Sequence, residues 1–251
     1  MEHPFIGEIA QYAFNYAPPG WAPCAGQVMP LYQGIPLFEV IHNKFGGDGM
    51  STFALPDYSH LSSQGLQFCI ALTGAAPSAG GPSRPQSLGE IANLPYGFAP
   101  TSWVECNGQM LQVAEHQALY HAIATTFGGD GETTFGAPNL IHFPPTPLAS
   151  DTDSQYYIAV EGDASPVNPF VGKVQLLPFH SAPNGWMTCS GQLLPINQNQ
   201  ELFSVIGVNF GGDGRTKFAL PDLRHGQIPL PGGMEYCIAV TGTFPARNTT
   251  H

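Results

Sequence analysis

The sequence predicts a mainly β fold, leaning to α+β, built from three tandem repeats that each carry one short helix. Three observations carry that expectation. First, 30 Gly and 25 Pro in 251 residues are too many chain-breaking residues for a helical protein. Second, a hydrophobic share of 43%, with 16 Phe, 9 Tyr and 3 Trp, supplies ample bulk for a packed core. Third, the text recurs: Trp21, Trp103 and Trp186 lie 82 and 83 residues apart, and FGGDG starts at Phe45, Phe127 and Phe210 with the same spacing.

Each repeat opens on an apolar stretch of β-forming character, IGEIAQY, LGEIANL or VGKVQLL, read as a strand. The segments APPGWAPCAGQ, APTSWVECNGQ and APNGWMTCSGQ follow, where Trp and Cys three apart can share a core and Gly-Gln starts a turn. Next comes the one helix candidate: PLFEVIHNKF, EHQALYHAIATTF and NQNQELFSVIGVNF. In the third, Leu202, Phe203, Val205 and Ile206 give an apolar face, Asn197 is the expected N-cap, and Gly46, Gly128 and Gly211 are expected to stop the three helices. FGGDG then reads as a tight turn with positive φ positions, its Asp bonding nearby backbone amides. The text STFALPD, TTFGAPN or TKFALPD follows, and the closing strand is FCIALTG, YYIAVEG or YCIAVTG. The units span 1–80, 88–163 and 170–251, with Ala75 to Ser87 and Asp163 to Pro169 read as linkers. A unit of this size buries too little surface to be stable alone, so the three are expected to pack around a pseudo-threefold axis.

Charge excludes whole classes of partner. Seven basic residues face 18 acidic ones, and a net charge of −11 repels both phosphate backbones and anionic lipid, so no nucleic acid is expected to bind. No apolar run approaches the roughly 20 residues of a membrane helix, so no membrane insertion is expected. The start MEHPFIGEIAQYAF lacks a basic region and a cleavage site, which argues against a classical signal peptide. Catalytic signatures are missing too: the sequence has no GxSxG, no HExxH and no Cys-x-x-Cys, and no His stands at a constant short distance from the repeated cysteines. An enzyme is not expected, nor an organic cofactor.

Two residue sets stay open. Cys24, Cys106 and Cys189 recur, while Cys69 and Cys237 sit on closing strands where repeat two has Tyr157. They fit either five buried thiols or two bridges, Cys24–Cys69 and Cys189–Cys237, with Cys106 left free. His60, His142 and His225 each lie four residues after a repeated Pro (Pro56, Pro138, Pro221). If the axis brings them together, three imidazoles and a water could bind a divalent metal such as Zn²⁺; otherwise they are ordinary loop or interface histidines.

The composite GEI…APxGWxxCxGQxL…LF…FGGDGxTxFALPDLR resembles the phage tail-collar domain, the repeat of the microcystin-dependent-protein family. Repeat three matches from Val171 to Arg224, and the other repeats match at the same landmarks. The family more often has Gly where His60, His142 and His225 stand, so that recurrence belongs to this chain. The resemblance implies assembly or attachment rather than catalysis, in a phage tail or a bacterial surface appendage, hence an extracellular, cell-surface or virion-tail location. The leading expectation is a structural subunit that self-associates into a homo-oligomer or filament. The alternative is a surface adhesin, a module that recognises host-surface glycans through its aromatics.

Overall fold

The computed structural model describes residues 3–78, 85–141, 143, 154–163, 168–179, 181–224, 230 and 232–246. The repeats share one plan. Repeat one contains β1 (Ile9–Tyr12), β2 (Trp21–Pro23), β3 (Val28–Pro30), α1 (Ile35–Ile41), β4 (Thr52–Ala54) and β5 (Gln67–Ala71). Repeat two contains β6 (Ile91–Leu94), β7 (Trp103–Glu105), β8 (Met110–Gln112), α2 (Gln117–Ile123), β9 (Thr134–Gly136) and β10 (Gln155–Ala159). Repeat three contains β11 (Lys173–Leu177), β12 (Trp186–Thr188), β13 (Leu193–Pro195), α3 (Gln200–Ile206), β14 (Lys217–Ala219) and β15 (Glu235–Ala239). The mainly β reading with one short helix per repeat is what the chain adopts.

In each repeat the closing strand lies between the opening strand and the tryptophan strand, all antiparallel: β1–β5–β2, β6–β10–β7 and β11–β15–β12. One face of this three-stranded unit covers a core of equivalent residues. Leu37, Ile41, Phe53 and Ile70 form it in repeat one, Leu119, Ile123, Phe135 and Ile158 in repeat two, and Leu202, Ile206, Phe218 and Ile238 in repeat three. Burying each such side chain contributes about 1.5–3 kcal/mol. The helices are two turns long, too short to persist alone, and they hold because this face pins them.

The opening strands join the repeats. β1 pairs with β11 through Gln11↔Val174 and Tyr12↔Lys173, and with β6 through Ile9↔Asn93. The third seam is closed by a side chain, Gln175 Nε2 donating to the Ile91 carbonyl at 3.0 Å. The contacts run in a cycle. A Cβ on Gly7 would meet Pro95 of repeat two, one on Gly89 would meet Phe179 of repeat three, and one on Gly172 would meet Phe14 of repeat one. All three glycines have φ between 74° and 87°, so the conformation favours glycine at each, and at Gly89 and Gly172 the close approach does too. The arms before the opening strands follow the same cycle. Phe5 packs edge-on against Trp103 of repeat two, centroids 5.8 Å apart, and Phe170 against Tyr12 of repeat one at 6.4 Å. The repeats therefore close a pseudo-threefold ring.

Three local expectations need correcting. Asn197 falls in a 3₁₀ turn, Ile196–Gln198; Asn199 occupies the N-cap, and its amide donates to the Pro195 carbonyl at 3.0 Å instead of capping the helix. The helices end before the repeated glycines, at His42, Ala124 and Gly207, with φ of 50°, 48° and 57°. Finally, the described ends of the two linker stretches are packed. Ala75 N donates to the Pro4 carbonyl at 2.9 Å, Ser87 bridges to Asp163, and Gln86 and Ser87 belong to the arm of repeat two. Proline, serine and glycine read as flexible, but these positions pair backbone to backbone.

Candidate functional site

FGGDG is a self-contained turn. Asp48 Oδ1 accepts the amides of Met50, Ser51 and Thr52 at 2.9, 2.8 and 2.7 Å, while Oδ2 accepts the Ser51 hydroxyl at 2.7 Å. Asp130 and Asp213 repeat the pattern on the amides two, three and four residues on, and on the hydroxyls of Thr133 and Thr216. These donors, the hydroxyl first, hold all three carboxyls well below the usual carboxylate range. An oxygen ringed by N–H donors is a poor cation ligand. The second glycine permits the turn: a Cβ on Gly47, Gly129 or Gly212 would lie 2.5 Å from the Cα of Phe53, Phe135 or Phe218.

All five cysteines are buried thiols. Burial pushes Cys69 and Cys237 up to about 12 and raises Cys24, Cys106 and Cys189 well above the ordinary thiol value. Thiols held neutral in this way are not nucleophiles. Among the histidines, His60 lies exposed in a 3₁₀ turn, Ser59–Gln64, close enough to Asp57 to help lower its carboxyl after the Ser59 hydrogen bonds. His142 and His225 lie outside the described residues. Among the described residues no three His, Cys, Asp or Glu side chains are placed to hold a metal ion.

Among the described residues, two concave places are lined by more than one repeat. The first is on the axis, a chamber of about 40 Å³ lined by all three repeats, among them Gln11, Asn93, Lys173 and Tyr236. Here equivalent positions carry different residues. Glu8 and Glu90 each accept a backbone amide, of Phe5 and Ser87, at 3.1 Å. The third copy is Lys173, whose Nζ lies 3.7 Å from Glu8 Oε1 with both side chains buried. Asn93 is buried, and neither end of its amide has a partner among the described residues. Burial pushes Tyr236 up to about 12, partly offset by its hydrogen bond with Gln11. The chamber has room for a few waters at most.

The second place is a groove of about 480 Å³ between repeat one and the arms of repeat three, with Pro4, Trp21, Thr73, Phe170 and Phe244 in its wall. Its size is that of a small-ligand site. The sequence reading missed it because its walls come from segments far apart in the chain. Lys173 was legible as the one basic residue in G-E-I, G-E-I, G-K-V, but its neighbours were not.

A family model described as Phage Tail Collar Domain matches the chain three times, over residues 7–62, 89–142 and 172–228. No curated protein and no solved structure matches the chain.

Proposed function

We propose, for a chain that belongs to the phage tail collar domain family, that it works as a self-assembling structural subunit of a phage-tail-like or bacterial surface appendage. The reading places it outside the cell, on a cell surface or on a virion tail, and assigns it no catalysis. No helix among the described residues is long and apolar enough to cross a membrane.

One observation supports self-association above the rest. Val28, Met110 and Leu193 occupy the same position in the three repeats, the first residue of the short hairpin strand β3, β8 or β13, and they are 61%, 55% and 56% exposed. A single exposed apolar residue is ordinary, but three at equivalent points of a ring form a pattern a second ring can meet all at once. Three weak contacts made together bind far more tightly than any one of them.

The test replaces all three, as Val28→Asp, Met110→Asp and Leu193→Asp. Negative-stain microscopy and light scattering of the wild type should reveal ordered assemblies, and the triple variant should stay monomeric with an unchanged circular dichroism spectrum. A wild type that is monomeric at high concentration, or a variant that assembles equally well, would sink the reading.

A further inference from the structure

Trp21, Trp103 and Trp186 stand in one local frame, paired respectively with Ala71, Ala159 and Ala239 of the closing strand. An indole N–H in a protein interior needs an acceptor. Repeat two supplies one from its own arm. Gln86 Oε1 accepts from Trp103 Nε1 at 2.8 Å, and Gln86 Nε2 donates to the Glu161 carbonyl at 3.0 Å. A buried primary amide is thus held at two points, one donor and one acceptor.

Repeat one keeps the frame and lacks the amide. The Ala75 N–H donates to the Pro4 carbonyl at 2.9 Å as that of Asp163 does to Gln86 at 3.1 Å, and Leu72 N bonds Gly20 O at 2.8 Å as Val160 N bonds Ser102 O at 2.9 Å. The residue in the place of Gln86 is therefore Pro4, which has no side-chain acceptor or donor. Among the described residues nothing accepts from Trp21 Nε1, and nothing donates to the carbonyl of Thr73, the counterpart of Glu161. Pro169 likewise cannot serve Trp186, but the groove of about 480 Å³ opens beside Trp21.

We propose that this groove is a binding site for an acetamido group, as carried by neutral N-acetylated sugars. The acetamido oxygen would take the Trp21 indole N–H, and its N–H would donate to the Thr73 carbonyl, as the amide of Gln86 does one repeat later. At about 480 Å³ the groove leaves room for the sugar ring beyond the amide. Phe170 and the half-exposed Phe244 offer flat faces to its C–H side, and the Thr73 and Thr243 hydroxyls offer partners to its own hydroxyls. The net charge of −11 favours a neutral sugar over an acidic one. The site is independent of the assembly proposed above, because it uses none of Val28, Met110 and Leu193.

The three indole N–H signals of ¹⁵N-labelled protein report on it directly. Titration with N-acetylglucosamine to about 10 mM should shift the Trp21 signal saturably and leave Trp103 in place, while glucose, which lacks the acetamido group, should do neither. Pro4→Gln should plug the groove from within and weaken binding at least about tenfold, with the Trp103 signal as the check that the fold is intact. Trp21→Phe, which keeps a ring but removes the donor, should abolish the preference for the acetylated sugar. The proposal is overturned by the absence of a saturable Trp21 shift, by an equal response to glucose, or by full binding in Pro4→Gln. A response to a glutamine-containing tripeptide but not to the sugar would overturn it equally, since the cradle would then serve protein side chains.

Discussion

The FGGDG turns and the opening strands are both present in three copies, and they have fared differently. At Asp48, Asp130 and Asp213 the copies are the same residue making the same bonds. At the axis the equivalent positions read Glu8, Glu90 and Lys173, and one step away Gln11, Asn93 and Leu176. The turn is closed on itself, so each copy meets the same demands. An axial residue faces its own counterparts from the other two repeats. In a symmetric trimer of separate chains it would have to tolerate copies of itself. A single chain escapes that restriction, and here Lys173 lines the chamber beside Glu8 where a third glutamate would add like charge.

Breaking the axial asymmetry should have the largest effect. Lys173→Met removes a buried counter-charge from Glu8 and should cost about 3 kcal/mol in urea unfolding. Adding Glu8→Gln should recover most of that, because the buried carboxylate is then neutral. Asn93→Leu, which copies the apolar choice of Leu176, should stabilise by about 1 kcal/mol by removing a buried amide with nothing to bond.

Smaller effects sharpen the comparison at the helix ends. His42 and Ala124 hold the positive φ that repeat three gives to Gly207. His42→Gly and Ala124→Gly should each raise stability by about 1 kcal/mol, and Gly207→Ala should lose about as much. The turns should contribute least to pH dependence near neutrality. A carboxyl lowered in the folded state stabilises fully above its unfolded pKa of about 4, and loses that contribution as pH falls through its folded value. For Asp48, Asp130 and Asp213 that loss comes only in strong acid, so urea midpoints at pH 7 and 5 should agree.

Much of this was readable beforehand, and the rest was hidden for physical reasons. Identical text gave the repeats, and the apolar faces around Leu37, Leu119 and Leu202 gave the helices, because local pattern determines both. Helix ends were misplaced because the stop is a backbone conformation, held by His42 and Ala124 as well as by a glycine. The groove at Trp21 was invisible because it depends on an absence at Pro4, meaningful only beside Gln86, and Gln86 lay in a stretch that composition marks as linker. The histidine set was legible as a pattern of spacing, but spacing does not say where a side chain points.

The cyclic docking of the arms also has a consequence for how the chain is made. Phe170 completes the aromatic face around Tyr12, and the Tyr16 hydroxyl donates to the Pro245 carbonyl at 2.8 Å, across 229 residues of chain. Repeat one, synthesised first, therefore waits for residues of repeat three before its second apolar face, around Tyr12 and Trp21, is covered. Contacts so distant in sequence are paid for in loop entropy before they return anything, which makes folding slow and leaves an early, sticky intermediate. A chain arrested on the ribosome after repeat two should accordingly remain protease-sensitive around Trp21, and release of the whole chain should protect all three repeats together.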